Sequence, residues 1–164
     1  MDNQILFEEK QSFRQWWLWL ILLSFSGFYF YCLFSNESKI SDLFLSPVII
    51  FSTILLSTLL LCFLIYRLET QVRTDGIYIR FFPFTRKFKK YAFDEISKSY
   101  VRKYNAIMEF GGWGYRIGWK KKAFNVSGNQ GLQLEFNDQN KLLIGTQKPE
   151  ELADVIDKIK LIKK

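Results

Sequence analysis

Two stretches, WWLWLILLSFSGFYFYCLF (16–34) and LFLSPVIIFSTILLSTLLLCFLIY (43–66), decide how this chain is organised. No charged residue lies between Arg14 and Glu37, and none between Asp42 and Arg67. A helix needs about 20 apolar residues to cross a bilayer, and each stretch supplies them. The pattern predicts a transmembrane hairpin over 16–66, with spans at about 16–34 and 43–66. Trp16, Trp17 and Trp19 open the first span and Tyr66 closes the second, as interfacial rings do. Pro47 falls in the first turn of the second, where its missing N–H costs nothing.

The flanks orient the hairpin. The connector holds one cation, Lys39, while Lys10 and Arg14 precede the first span. Arg67, Arg73, Arg80, Arg86, Lys87, Lys89 and Lys90 follow the second. Lys and Arg stay on the cytoplasmic side, so both termini are expected in the cytoplasm of a two-span cell-membrane protein. The first stretch is longer than the apolar core of a secretory leader and a second span follows, so cleavage is not expected. Neither span holds a charge, which argues against a transporter, proton relay or channel. Ser24 and Gly27 in one span, and Ser52, Thr53, Ser57 and Thr58 in the other, are candidates for a close helix–helix seam. The alternative is that the hydroxyls bond back to their own helices. Residues 1–15 form a cytoplasmic segment in which Ile5, Leu6, Phe7 and Phe13 suggest a short surface helix.

Residues 67–164 form one small domain. Of 23 Lys and Arg, all but Lys10, Arg14 and Lys39 fall there, leaving 20. Of 16 Asp and Glu, all but Asp2, Glu8, Glu9, Glu37 and Asp42 do, leaving 11. The domain is thus near +9, and a basic domain beside a membrane is drawn to anionic lipid. The chain has no His, the commonest general base and metal ligand. Its two cysteines, Cys32 and Cys62, sit inside the apolar stretches and read as packing residues.

Asp75-Gly76 is a hairpin turn, flanked by strands at 69–73 and 77–82 with Ile77, Ile79 and Phe81 on one face. Pro83 ends the second of these strands. Further strands are expected at 87–93, 96–103, 115–119, 123–127, 131–136 and 142–145. Lys120-Lys121-Lys122 marks a turn between two of them. Leu132, Leu134 and Phe136 should point inward and Gln133 and Glu135 outward. Pro149 opens a helix with Glu150 and Glu151 in its first turn. Leu152, Val155, Ile156, Ile159 and Ile162 make its apolar stripe, and Lys158, Lys160, Lys163 and Lys164 close it. The expected fold is α+β: about seven antiparallel strands in a strongly bent sheet or open barrel, capped by this amphipathic helix.

The stretches Thr74-Asp75-Gly76-Ile77, Phe93-Asp94-Glu95-Ile96, Gly111-Gly112-Trp113-Gly114-Tyr115-Arg116, Val126-Ser127-Gly128-Asn129-Gln130-Gly131-Leu132 and Ile144-Gly145-Thr146-Gln147-Lys148-Pro149 carry a resemblance. The chain resembles the bacterial pleckstrin-homology-like (PH-like) membrane proteins with two N-terminal spans. The resemblance implies a PH-like domain that binds lipid or peptide or serves as a scaffold. It supplies no catalytic residue and no cofactor.

The candidate binding residues are Arg86, Lys87, Lys89 and Lys90 in one basic run and Lys120, Lys121 and Lys122 in another, with Arg116 nearby. Gly111-Gly112-Trp113-Gly114 lacks the strand–loop–helix setting of a phosphate loop and reads as a turn with Trp113 as its plug. Ser127, Asp94, Glu95 and Glu109 form no recognisable nucleophile–base arrangement, so no enzyme is expected. Membrane tethering argues against nucleic acid as a partner. Two readings remain: first, a non-catalytic adaptor that holds a protein partner at the membrane; second, a sensor of anionic lipid headgroups using the two basic runs.

Overall fold

The computed structural model describes residues 4–13, 16–35 and 47–162, with only the backbone for Cys32, Leu33 and Ile162. The fold is α+β, with nine strands in two sheets among the described residues. The chain divides into two compact units, Phe13–Ile65 and the remainder, Met1–Ser12 with Tyr66–Lys164.

The helical unit holds α1 (Trp16–Ser35) and α2 (Pro47–Ile65). Among the described residues α2 alone is long and apolar enough to cross a membrane, while Trp16–Tyr31 of α1 is apolar but shorter. The expected start of the second span, 43–46, and the connector lie outside the described residues, as do Arg14, Lys163 and Lys164. The two helices are joined by Tyr29, whose hydroxyl lies 2.7 Å from Ser52 Oγ and 2.8 Å from Thr53 Oγ1. It also donates to the carbonyl of Ile49 at 3.2 Å. Thr53 and Thr58 bond back one turn to Ile49 and Ile54, so part of the hydroxyl set is self-satisfied.

The first sheet is β1 (Ile5–Ser12), β2 (Arg67–Arg73), β3 (Gly76–Phe82) and β4 (Lys89–Ala92), antiparallel in that order. β1 corrects the expected surface helix. Its period is two: Phe7, Glu9 and Gln11 are buried and the residues between them are exposed. It pairs with β2 from Phe7↔Val72 to Ser12↔Arg67, so the helical unit is inserted between two neighbouring strands. Ile77, Ile79 and Phe81 are buried together on β3, as their alternation requires.

The second sheet runs β5 (Ile96–Lys103), β8 (Gln130–Phe136), β9 (Lys141–Gly145), β7 (Lys121–Asn125) and β6 (Gly114–Ile117). Its β7–β9 pair is parallel, so the domain is not wholly antiparallel. The ring pairs Phe81–Phe124, Phe81–Tyr115 and Tyr91–Phe136 join the inner faces of the two sheets. The outer face of the second sheet carries a smaller core of Tyr104, Ala106, Ala123 and Leu143, covered by Phe110 and Trp113. This covering buries Leu142, Leu143 and Ile144 in succession. It also buries Gln133, expected to face solvent, whose Nε2 donates to the carbonyls of Leu134 and Leu142.

The cover is α3 (Ala106–Phe110), a helix the sequence reading did not contain. Asn105 caps it by accepting from the N–H groups of Ile107 and Met108. Gly111, at φ 71°, ends it in the left-handed region that favours glycine. α4 (Pro149–Ile162) packs on β5, β8 and β1, burying Leu152, Ile156 and Ile159.

The sheets do not close into a barrel. A 3-10 turn at Phe93–Glu95 sends the chain from one sheet to the other, and β4, only four residues long, stays an edge. Lysines on an edge strand oppose further pairing, and Lys89 and Lys90 occupy this one.

Candidate functional site

The opening beside β4 is where the two basic runs meet. Lys89 and Lys90 are placed there by pairing of β4 with Ile79 and Tyr78 of β3. From the other sheet come Lys120, in the turn before β7, Lys122 within β7, and Lys141 at the start of β9. These five lysines and the carboxylates Glu95 and Asp138 line a cleft of about 340 Å³. The lining is thus basic by three charges, five against two.

Tyr91, Phe136 and Leu142 give the cleft an apolar side. The rings of Tyr91 and Phe136 lie 5.5 Å apart. Burial pushes the Tyr91 hydroxyl up to about 12, so it stays neutral. Lys89 Nζ sits 5.2 Å from that ring's centroid.

Two of the lysines have partners. Lys90 Nζ is 2.6 Å from Asp75 Oδ2, and this hydrogen bond raises the lysine and holds Asp75 below the usual carboxylate range. Lys141 Nζ is 2.8 Å from Glu135 Oε1, with the same two effects. Lys120 and Lys122 make no ion pair among the described residues. Asp138 is lowered first by the backbone N–H of Asn140, with Lys122 adding a smaller push. The turn at 137–140 thus holds its carboxylate in place beside the lysines.

The structure does not gather every predicted residue here. Arg86 and Lys87 are exposed in the loop between β3 and β4. Lys121 and Arg116 line a separate groove of about 740 Å³ with Ile117, Trp119 and Lys120. Lys121 and Lys122 are strand residues, so the turn expected at 120–122 is centred earlier, at 118–120. Arg116 also donates to the Gly111 carbonyl at 3.3 Å. Trp16 and Trp17 are exposed at the start of α1, and Trp19 donates to the Phe13 carbonyl. Tyr66 packs its ring on Phe81 and Phe84 of the domain.

Trp113 fits the plug reading, donating to the Gly128 carbonyl at 3.1 Å while it covers the smaller core. Glu109 is held by Arg102 in a two-pronged pair of 2.7 and 3.2 Å, which depresses its carboxyl. Ser127 is hydrogen-bonded to the Gln147 amide at 2.6 Å. Sequence reasoning missed Lys141, Glu95 and Asp138 as cleft residues. The one signal was the Asn137-Asp138-Gln139-Asn140 turn, which delivers Lys141 to its end.

No protein-family model, curated protein or solved structure matches this chain.

Proposed function

We propose that this is a two-span, non-catalytic cell-membrane protein whose PH-like cytoplasmic domain binds phosphate-bearing anionic headgroups in the lysine cleft. The observation that carries the reading is the convergence of Lys89 and Lys90 with Lys120, Lys122 and Lys141 from the other sheet. Lysines cluster at solvated surfaces for many reasons, but here two distant runs line one concave site with an apolar side. Such a site suits a phosphate joined to a short apolar stem. It favours the second of the two sequence readings over the protein adaptor.

Topology supports the membrane part. Ser12 and Arg67 are register partners, so the chain leaves the sheet and returns to it at one place. A segment that begins and ends on one side of a bilayer crosses it an even number of times. A crossing by α2 therefore calls for a second, and α1 is the other apolar helix. The excess of Lys and Arg after α2 supports a cytoplasmic domain.

The test is binding by the purified full chain in neutral detergent. Titration with phosphatidylglycerol, phosphatidylcholine and soluble glycerophosphate separates lipid from free phosphate. The reading expects preference for phosphatidylglycerol, weakened about tenfold or more in a Lys120→Gln, Lys122→Gln, Lys141→Gln variant and eroded by salt. Equal binding by that variant, or by a neutral lipid, would refute it. Glycerophosphate binding as tight as the lipid's would make free phosphate the ligand.

A further inference from the structure

A second surface on the domain joins charge to exposed apolar side chains, which the cleft does not. The tip of the β6–β7 hairpin carries Ile117, the last residue of β6, 64% exposed, and Trp119 in the turn, 98% exposed. Arg116, Lys120 and Lys121 surround them along the same groove. Glu109, the carboxylate in that groove, is already held by Arg102, so the cations there are in excess.

The position of this turn in the domain is informative. Tyr66, where the chain enters the domain from α2, packs on Phe84 with ring centroids 5.4 Å apart. Phe84 stacks on Tyr115 of β6 at 5.2 Å. Ile117 follows Tyr115 by two residues and so lies on the same face of that strand. Phe82 and Phe84, in and after the last residues of β3, are exposed as well. Phe82 is the register partner of Arg67. The end of the domain at Arg67 thus displays Phe82 and Phe84, and Phe84 links it through Tyr115 to β6, which ends at Ile117 with Trp119 two residues on.

We propose that the tip of the β6–β7 hairpin inserts Ile117 and Trp119 into the interfacial layer of the anionic bilayer that the chain spans, with Arg116, Lys120 and Lys121 at headgroup level. The proposal rests on the membrane reading above and shares only Lys120 with the lysine cleft. Tryptophan favours the bilayer interface, and neighbouring Lys and Arg add attraction to anionic lipid. Exposed apolar residues ringed by cations suit that layer better than water. Insertion would give the domain a second hold on the membrane and fix its rotation about the junction at Arg67.

The test uses the full chain with Cys32→Ser and Cys62→Ser, reconstituted into vesicles of phosphatidylcholine with or without phosphatidylglycerol. A spin label at Ile117→Cys reports depth from its collisions with oxygen and with a water-soluble nickel chelate. A label at Asp154→Cys, exposed on α4, is the reference. The expected result is loss of nickel access at 117 in phosphatidylglycerol vesicles, with full access at 154. Trp119→Ser with Lys121→Gln, neither of them a cleft residue, should restore access at 117. Free nickel access at 117 in both vesicle types would overturn insertion, as would shielding that appears only when membrane proteins are added. Glycerophosphate and lipid titration of the same samples reads the cleft independently. Loss of one result without the other tells the two proposals apart, and failure to float with vesicles would refute the membrane reading itself.

Discussion

The helical unit and the sheet domain are both rich in large apolar side chains, and they dispose of them in opposite ways. In the domain Leu68, Ile77, Phe81, Leu132, Leu134 and Leu152 are almost wholly buried by one another. In the helices Leu20, Phe25, Phe28, Phe51, Ile54 and Leu61 remain exposed. Water drives the first arrangement, since burying a large aliphatic or aromatic side chain is worth about 1.5–3 kcal/mol. The second suits apolar surroundings, as the two-span proposal supposes. Ile117 and Trp119 follow the helices' rule inside the domain, and their setting among cations is why they stand out.

The largest effect is expected where the domain's core depends on a strand that precedes the helices. Glu9 of β1 is buried, accepting from Thr146 Oγ1 at 2.6 Å and from the Gln147 N–H at 2.8 Å. Two positions on, Gln11 Nε2 donates to the Gly145 carbonyl at 2.7 Å. β1 thus pins the first sheet to the end of β9 and the start of α4. Glu9→Ala should cost the domain about 1–3 kcal/mol, because it leaves the Thr146 hydroxyl and the Gln147 N–H without their acceptor. Deleting residues 4–12 should cost more, since Phe7 is also lost from the core. Urea unfolding in detergent, read by near-ultraviolet dichroism, checks both. An unchanged midpoint after the deletion would mean that 67–164 is the whole folding unit.

That strand also marks the boundary of what the sequence discloses. The strands from β2 to β4 and the final helix follow from Asp75-Gly76, Pro83 and Pro149, because turn chemistry is local. Ile5 to Ser12 alternates too, but Glu9 and Gln11 sit on its buried face, where polarity disguises the period. Their partners are more than 130 residues away, and no local pattern reveals them. α3 was legible in hindsight, from Asn105 as cap and Gly111 as stop, but five residues give no apolar stripe. For the cleft, the two lysine runs were plain. Their meeting was not, since it depends on which sheet edges stay open, and that is set by long-range pairing. Lys141 went unnoticed because its neighbours in sequence are not basic.

A smaller effect tests the helices. Tyr29 is their polar link, and Tyr29→Phe removes its contacts with Ser52, Thr53 and Ile49. Under the two-span proposal this link joins membrane helices, where such hydrogen bonds are worth about 0.6 kcal/mol on average and at most about 1.7. The variant should lose stability in that range when the helical unit is unfolded by dodecyl sulfate, while the domain's urea midpoint stays put. A matching drop in the domain would erase the distinction between the two units.

The smallest effect separates them by acid. Asp75, Glu109 and Glu135 are held below their ordinary values of 3.8, 4.5 and 4.5 by Lys90, Arg102 and Lys141. A carboxylate with a depressed folded pKa adds stability that is complete above its unfolded value and is lost as pH falls through the folded one. All three pairs are solvent-accessible, so each effect is slight. The domain's unfolding midpoint should therefore be level from neutral pH to about 5 and decline below about 4.5. Glu109→Gln should flatten part of the decline at the cost of a slightly lower midpoint at neutral pH. The described part of the helices holds no Asp or Glu, so their unfolding should show no such slope. A decline already under way at pH 6 would place the titrating group elsewhere, because no carboxylate in these pairs has been pushed upward.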